Sequence, residues 1–370
     1  MISSKPDLSV FVAGLAHGGV GKMRVHLINE FARRGLRVDL LLADMDSPYL
    51  QKVDPAVRVI DVGTSHALFG IPRLAYYLLR ERPHVMLTQR VRVNVLALRA
   101  KRLVNSQTRI FVTANTNITR QLENAKPKKR HKQYIFLRRY YPRNAGIIAV
   151  SRGVGDDLAK ILGWPSERIT TAPNPVVTPE LYRLAKAPPE HPWFHDDGPP
   201  VILGVGRLEP QKDFTTLLEA FALLRQRHPC RLMILGEGKL RKELTKLAGQ
   251  LGIEDALQMP GFVTNPYPYM AHADLFVLSS LWEGSPNSLT EALALGTPVV
   301  ATDCPNGPSE ILEQGRYGPL VPMKNPEALA EAMEKTLASP PDRNLLREAA
   351  QRRYTVERSA DAYLEAMGLK

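Results

Sequence analysis

Three segments of this 370-residue chain concentrate side chains that could do chemistry. The first, His17-Gly18-Gly19-Val20-Gly21-Lys22, follows an apolar run and opens a helical pattern. Glycines there let a ligand approach the backbone, and a helix N-terminus favours an anion. It is not a P-loop: GxxxxGK followed by Ser or Thr needs Gly where Ala16 stands and a hydroxyl where Met23 stands. The dinucleotide pattern GxGxxG does not fit either. The second segment, Gly204–Asp213, carries Arg207 and Lys212 in a loop between a strand pattern and a helical one. Arg offers a fork and Lys a point charge, a pair suited to a pyrophosphate. The third is Glu283-Gly284-Ser285-Pro286-Asn287-Ser288-Leu289-Thr290-Glu291. Asn287 is expected to cap a helix whose first amides, near Asn287, Ser288 and Leu289, point at an anion. Glu283 then lies before the helix and Glu291 about one turn inside it. Two carboxylates flanking an anion site suit a ligand with hydroxyls on both sides of a phosphate. A sugar nucleotide has that order: sugar, pyrophosphate, ribose.

Other motifs carry less. Asp44-Met45-Asp46 has the DxD form of metal-dependent transferases, but it follows the second strand pattern and reads as a loop, with no metal expected. Cys230 and Cys304 lie far apart, match no metal or CxxC spacing, and fit buried thiols in a reducing compartment.

The elements that position these segments alternate. Val10–Leu15, Val38–Leu42, Val57–Val62, Val85–Thr88, Arg109–Ala114 and Gly146–Val150 are apolar strand-like runs with helical patterns between several of them. Met23, Leu27, Ile28 and Phe31 form one helical face that Gly35 terminates. Residues 185–200 hold five prolines and interrupt the alternation as a linker would. It restarts at Val201–Val205, with Phe214, Leu217, Leu218, Phe221 and Leu224 on the next helical face. The pattern predicts two doubly wound, Rossmann-like α/β domains facing each other across a cleft, with ligands at the carboxyl ends of the strands.

Charge divides along the same line. The chain carries a net +12, but residues 1–190 hold +17 and residues 191–370 hold −5. Between Arg73 and Arg143 there are 18 basic residues and two acids, Glu81 and Glu123. A field of one sign over that stretch implies an anionic partner. No nucleic-acid module is recognisable, so nucleic acid is not expected. Bulky and basic residues together, as in 126–132 and 138–141, suit an anionic membrane surface, with residues ~70–145 docking peripherally. No apolar stretch is long enough to span a bilayer and no signal peptide is evident, so a cytoplasmic protein on the inner membrane face is expected.

The sequence resembles the retaining glycosyltransferases of the GT-B fold in family GT4. The matching pieces are GRLEPQKDF (206–214), LGEG (235–238), GFV (261–263), residues 273–303 with the paired Glu283 and Glu291, and GPSEI (307–311). In the first half, residues 18–42, AVSRGVGDDL (149–158) and PNPV (173–176) also match. The resemblance implies an acceptor-binding domain over residues 1–185, a linker over 186–200 and a donor-binding domain over 201–354. A terminal helix, 355–370, would cross back to the first domain. It implies transfer of a hexose-type sugar, with UDP the expected nucleotide, to a glycan or lipid-linked acceptor with retention and without a metal or other cofactor. Arg207 and Lys212 would bind the pyrophosphate and Glu283 the donor sugar, these three being the catalytic set. Glu291 would hold the ribose, the amides of Asn287, Ser288 and Leu289 would meet sugar or phosphate, Gly19 and its neighbours would approach the β-phosphate from the first domain, and Gly236 would be among the donor-binding residues. Phe262 and Val263 would flank the base.

One departure stands out. Many members carry a His where this chain reads Thr113-Ala114-Asn115-Thr116-Asn117. Asn is no base at neutral pH but can hydrogen-bond a sugar hydroxyl. Asn115, Asn117 and His17 are therefore the acceptor-side candidates. A catalytically weak nucleotide-sugar-binding protein and a sugar-nucleotide epimerase on the same fold are the alternatives.

Overall fold

The computed structural model describes residues 5–15, 18–63, 67–123 and 125–369. The chain divides into two compact units, Met1–Pro175 with Val356–Lys370, and Val176–Thr355.

Unit 1 runs β1 (Leu8–Val12), α1 (Gly19–Arg33), β2 (Val38–Leu42), β3 (Arg58–Asp61), α2 (Ala67–Glu81), β4 (Val85–Gln89) and α3 (Val91–Leu103). It continues through β5 (Arg109–Ala114), α4 (Ile118–Glu123), α5 (Pro127–Tyr140), β6 (Gly146–Ala149), α6 (Arg152–Leu162) and β7 (Ile169–Thr171). Its seven strands are parallel, in the order β3-β2-β1-β4-β5-β6-β7. A parallel sheet covered on both faces needs apolar residues at successive positions, and LSVFV and VDLLL supply them. Leu8, Val10 and Val12 pack on one face with Ile28 and Phe31 of α1. Phe11 packs on the other with Leu74, Tyr77 and Leu78 of α2.

Unit 2 opens with α7 (Pro179–Ala185), then β8 (Val201–Val205), α8 (Phe214–Arg225), β9 (Arg231–Leu235), α9 (Arg241–Leu251), β10 (Leu257–Gly261) and α10 (Tyr267–His272). There follow β11 (Leu275–Leu278), α11 (Asn287–Leu295), β12 (Val299–Thr302), α12 (Pro308–Ile311), β13 (Leu320–Val321), α13 (Pro326–Ala338) and α14 (Arg343–Tyr354). Its six parallel strands stand in the order β10-β9-β8-β11-β12-β13. In each unit the order reverses beside the first strand, between β1 and β4 and between β8 and β11. Such a reversal opens a ligand crevice at the strands' carboxyl ends.

The expected boundary after residue 185 lies too late. Residues 176–185 belong to unit 2, because α7 buries Leu181 and Ala185 there and its Leu184 carbonyl accepts Asn265 Nδ2 at 3.1 Å. The proline-rich stretch 186–200 is not a free tether either. Phe194 meets Tyr269 edge to face at 5.6 Å, and the Arg231 guanidinium stacks over Trp193 at 5.4 Å.

The last helix, α15 (Val356–Met367), returns to unit 1 and packs along α1. Tyr363, Leu364 and Met367 join the β1 face of the core. Glu30 accepts Arg33 and Arg34 at 2.7 Å, and Arg34 reaches on to Asp361 at 2.7 Å. Arg109 Nη2 donates to the Met367 carbonyl at 2.6 Å.

A buried acid links the strands to α2. Asp39 accepts both arms of Arg58 at 2.8 and 2.6 Å and the Tyr77 hydroxyl at 2.6 Å. Burial, with the carboxylate beside it, pushes the Tyr77 phenol far above its ordinary range. Arg58 also reaches Glu81 at 2.7 Å. Asp39→Ala removes the acceptor that Arg58 and Tyr77 share, leaving the hydroxyl Ser9 Oγ at 3.1 Å, and should cost about 2 kcal/mol, and Tyr77→Phe about 1 kcal/mol. Urea unfolding of the full chain checks both. Unchanged midpoints in the two variants would remove this network from the fold's support.

Candidate active site

The unit 2 site is built where β8, β9, β11 and β12 end. The loops after β8 and β9 lie backbone on backbone. Gly206 N donates to Leu235 O at 3.0 Å and Leu208 N to Glu237 O at 2.9 Å. Gly236 has φ +148°, and a Cβ there would overlap the Gly206 carbonyl oxygen. Glycine alone tolerates both the conformation and the approach. At Gly206 the open space is filled by the Lys212 stem, whose methylene carbons lie 3.1–3.2 Å from where a Cβ would stand.

Lys212 is fixed at its backbone as well: its carbonyl accepts Ser279 Oγ at 2.7 Å. Its ammonium lies 2.6 Å from Glu283 Oε1, and both side chains are largely buried. Ser280 Oγ donates to the same oxygen at 2.7 Å, and Gln211 Nε2 to the other at 3.4 Å. Gln211 also ties to the Trp282 carbonyl at 2.9 Å. The Glu283 amide donates to Pro305 O at 3.1 Å, and Thr302 Oγ1 to Ser280 O at 2.6 Å. Glu283 is thus a buried carboxylate held by one ammonium and two neutral donors, the condition under which a buried charge is tolerated. Cys304 stands nearby. Burial first, and then the Glu283 carboxylate, push its thiol well above the ordinary range, which keeps it neutral.

α11 begins at Asn287, with Pro286 in the capping position and no side-chain cap. The expected Asn287 cap is therefore corrected. Proline's φ of −70° suits the entry turn, and Asn287, Ser288 and Leu289 form the helix's first turn. Gly307, at φ +97°, seats its loop against the Pro286 ring so closely that a Cβ would clash. Inside α11, Glu291 is buried and accepts the Tyr267 hydroxyl at 2.9 Å.

Lys212 and Glu283 are thus brought into direct contact, with Gly236 in the adjoining loop and Glu291 on the helix that follows Glu283. Arg207 follows the same strand as Lys212 but is exposed, without an ion-pair partner among the described residues. Phe262 is exposed just beyond β10 and Val263 half-buried. Gln211 and Ser280 were missed as functional residues, although Gln211 sits inside the GRLEPQKDF motif and Ser280 three residues before Glu283. Nothing in the sequence marks Tyr267.

In unit 1, Gly19 begins α1 at an exposed position after Gly18, whose φ is +116°. Asn115 is half-buried directly after β5. Asn117, buried, caps α4. Its Oδ1 accepts the Arg120 amide at 2.7 Å, while Asp157 accepts those of Ile118 and Thr119 at 2.8 and 3.2 Å. His17 lies outside the described residues. Asp44 closes a turn on the Asp46 amide at 3.0 Å.

Two Rossmann-like parallel-sheet units in one chain are the architecture of the GT-B class of α/β proteins. Residues 17–179 match the family model described as Glycosyltransferase Family 4, and residues 190–353 the model described as Glycosyl transferases group 1. The chain belongs to the group 1, family 4 glycosyltransferases. It is 26% identical over 368 residues to the lipopolysaccharide core biosynthesis glycosyltransferase LpsE of Rhizobium meliloti, covering 95% of this chain and 96% of that one. It is 30% identical over 246 residues to N-acetylgalactosamine-N,N'-diacetylbacillosaminyl-diphospho-undecaprenol 4-alpha-N-acetylgalactosaminyltransferase of Campylobacter jejuni, covering 66% of this chain. The match spans 65% of that relative's length, and 35% of the length of an uncharacterized glycosyltransferase of Methanocaldococcus jannaschii, 38% identical over 144 residues. The structure of Anabaena HepE in complex with UDP and glucose superposes with a TM-score of 0.78 at 17% identity, over 98% of this chain and 99% of that one. That likeness shows the shared fold.

The Gly236 contact is directly testable. Gly236→Ala must move either the Gly206 carbonyl or its own backbone, and should cost at least about 2 kcal/mol. Thermal unfolding checks it, and an unchanged melting temperature would disprove the backbone-on-backbone seating.

Proposed function

We propose that the chain transfers a hexose-type sugar from a UDP-sugar to a glycan or lipid-linked acceptor, with retention at the anomeric carbon. The observation that carries this reading is the Lys212–Glu283 pair beside the bare backbone of Gly206 and Gly236. A diphosphate needs cations and a close backbone; a sugar needs a fixed carboxylate for its hydroxyls. Arg207, exposed and without an ionic partner among the described residues, and Lys212 bind the pyrophosphate. The amides of Asn287, Ser288 and Leu289 add the positive end of α11. Glu283, oriented by Ser280 and Gln211, accepts from the donor sugar. Glu291, oriented by Tyr267, accepts from the ribose, and Phe262 and Val263 flank the base.

Charge develops on the leaving diphosphate as the anomeric C–O bond to phosphate breaks. Cations already aimed there stabilise it without reorganising. The new bond from the acceptor oxygen forms on the same face, and the acceptor's proton passes to a leaving phosphate oxygen. This route needs neither a side-chain base nor a metal. Asn115 then serves the acceptor by a hydrogen bond, and Gly19 leaves the start of α1 open to a phosphate. The named substrates of the relatives, a lipopolysaccharide core and a diphospho-undecaprenol, support a lipid-linked glycan acceptor.

The basic half suits delivery of that acceptor from an anionic membrane. α5 carries six Lys and Arg residues and no acid, and none of the six forms an ion pair with a described residue. Tyr76, Leu79, Leu103 and Ile135 are large exposed apolar side chains in the same stretch. No helix among the described residues is long and apolar enough to cross a membrane. The reading is therefore peripheral docking on the inner, anionic face.

Lys212→Ala and Glu291→Ala should each reduce transfer from the UDP-sugar to background. Measured in a donor-consumption assay, wild-type-like rates in both would refute the site. The full chain should also sediment with vesicles containing phosphatidylglycerol, and far less with phosphatidylcholine alone, each engaged cation contributing about 1 kcal/mol. High salt should release it. Equal binding to both vesicle types at low salt would sink the docking reading.

A further inference from the structure

A cation stands at the unfavourable end of a helix in unit 2. Arg241 is the first residue of the 11-residue α9, which has no side-chain cap. A positive charge there opposes the helix dipole, which favours anions at an N-terminus. Arg241 is committed instead to two neighbouring loops. Its Nε and Nη2 donate to the two carboxylate oxygens of Glu237 at 2.9 and 2.6 Å. Its Nη1 donates to the Met259 carbonyl at 3.0 Å, and Nη2 lies 3.4 Å from the Gly236 carbonyl. The guanidinium holds the Glu237 carboxyl below its ordinary range, so the pair is ionised at neutral pH. About half of the Glu237 side chain is open to solvent, and a surface pair of this kind contributes little to stability. A local rule broken with no such gain points to a functional position.

What the pair touches is the start of the loop that follows β10. β10 slips in register against β9 between Gln258 and Gly261, and Pro260 inside the slip has no N–H to give. Arg241 takes the Met259 carbonyl within this irregularity. Gly261 has φ +97°, and its carbonyl accepts the Gly236 amide at 2.7 Å. The Glu237 carboxylate lies against it: a Cβ at Gly261 would stand 2.7 Å from Glu237 Oε1. The far end of the same loop is tied down too. Asn265 Nδ2 donates to the Leu184 carbonyl at 3.1 Å, and the Tyr267 hydroxyl to Glu291 at 2.9 Å. Between these two anchorages lie Phe262, 58% exposed, and the half-buried Val263.

We infer that Glu237 and Arg241 set which base the bound nucleotide carries, as positioning residues that hold the backbone of residues 261–263 against its edge. The inference rests on the donor reading, in which Phe262 and Val263 flank the base. An aromatic face is indifferent to the base it stacks on, because every base has a π-face. Phe262 therefore supplies affinity to all nucleotides alike. Telling one base from another takes donors and acceptors matched to its edge, and these must be held to within about 0.5 Å. A glycine at positive φ, after a slipped strand end that includes a proline, is not held so closely by its own conformation. The guanidinium and the carboxylate supply that restraint, one gripping the carbonyl before Pro260 and the other lying against Gly261.

The test titrates the full chain calorimetrically with UDP, GDP and inorganic pyrophosphate. Wild type should bind UDP at least about tenfold more tightly than GDP, one decade in Kd. Arg241→Ala should weaken UDP by about tenfold, bring the two nucleotides close together, and leave pyrophosphate, which has no base, unchanged. Glu237→Ala should act in the same direction, and the double variant should be no weaker than Arg241→Ala alone, since the two work as one clamp. Arg241→Lys lacks the fork and should not restore the preference. Phe262→Ala should weaken both nucleotides by the same factor. A UDP-to-GDP ratio unchanged in both clamp variants overturns the proposal. So does an equal loss of UDP and pyrophosphate, which is the mark of a merely structural pair. Should Arg241→Ala fail to fold, Glu237→Ala, a change at an exposed side chain, decides. Wild type that prefers GDP corrects the base of the donor reading and leaves the test intact with the nucleotides exchanged. Wild type that binds neither refutes the donor reading and this proposal with it, whereas equal binding of both refutes this proposal alone.

Discussion

The unit 2 site depends on two loops touching through their backbones. The carbonyl of Gly206 occupies the space a side chain at Gly236 would need. That contact sets the path of the loop after β8, and the path lays the Lys212 stem across Gly206 and brings its ammonium to Glu283. From Glu283 the ties continue through Ser280 and Thr302 to the ends of β11 and β12. Four strand ends are therefore held in one arrangement by hydrogen bonds that begin at a glycine pair. In the transfer proposed for this site the chemistry is mostly positioning, and a rigid arrangement serves it.

The two units handle charge in opposite ways. Unit 2 holds the buried Glu283 among three donors, one of them the Lys212 ammonium. Unit 1 pairs Asp39 and Glu30 with arginines, yet the buried Arg24 of α1 donates to neutral Gln89 and Thr113, and the exposed Arg90 after β4 pairs with no acid among the described residues. The excess of basic residues in the first half is thus not uniform. Six of its cations lie on α5 with no ion-pair partner among the described residues.

Much of this was legible in the sequence, and the failures have physical causes. The strand–helix alternation placed both sheets, because a doubly covered parallel strand must be apolar at every position. The positions of Lys212, Glu283 and Glu291, after a strand, before a helix and one turn inside it, were readable because their spacing is tied to strand ends and one helix turn. Asn287 was misplaced as a cap because proline rarely holds that position, and only the packed Gly307 loop shows why it does. Asn117 has the chemistry of a ligand-binding amide and of a cap, and the choice needed the neighbouring α4. The boundary at residue 185 failed because α7, which precedes the prolines, already packs into unit 2. Tyr267 and Arg24 were invisible: each acts across the fold on a residue far away in sequence.

The return of α15 to unit 1 has a consequence for synthesis. Tyr363, Leu364 and Met367 complete the face of the core that β1 and α1 begin. Between them lies the whole of unit 2. On a ribosome the first unit therefore emerges with an apolar groove along α1 that nothing in its own segment can close. The second unit, continuous from Val176 to Thr355, is able to fold before the first is finished. The usual order of maturation, amino-terminal part first, is inverted here. For the time it takes to translate about half the protein, the apolar face along α1 waits for the helix that covers it.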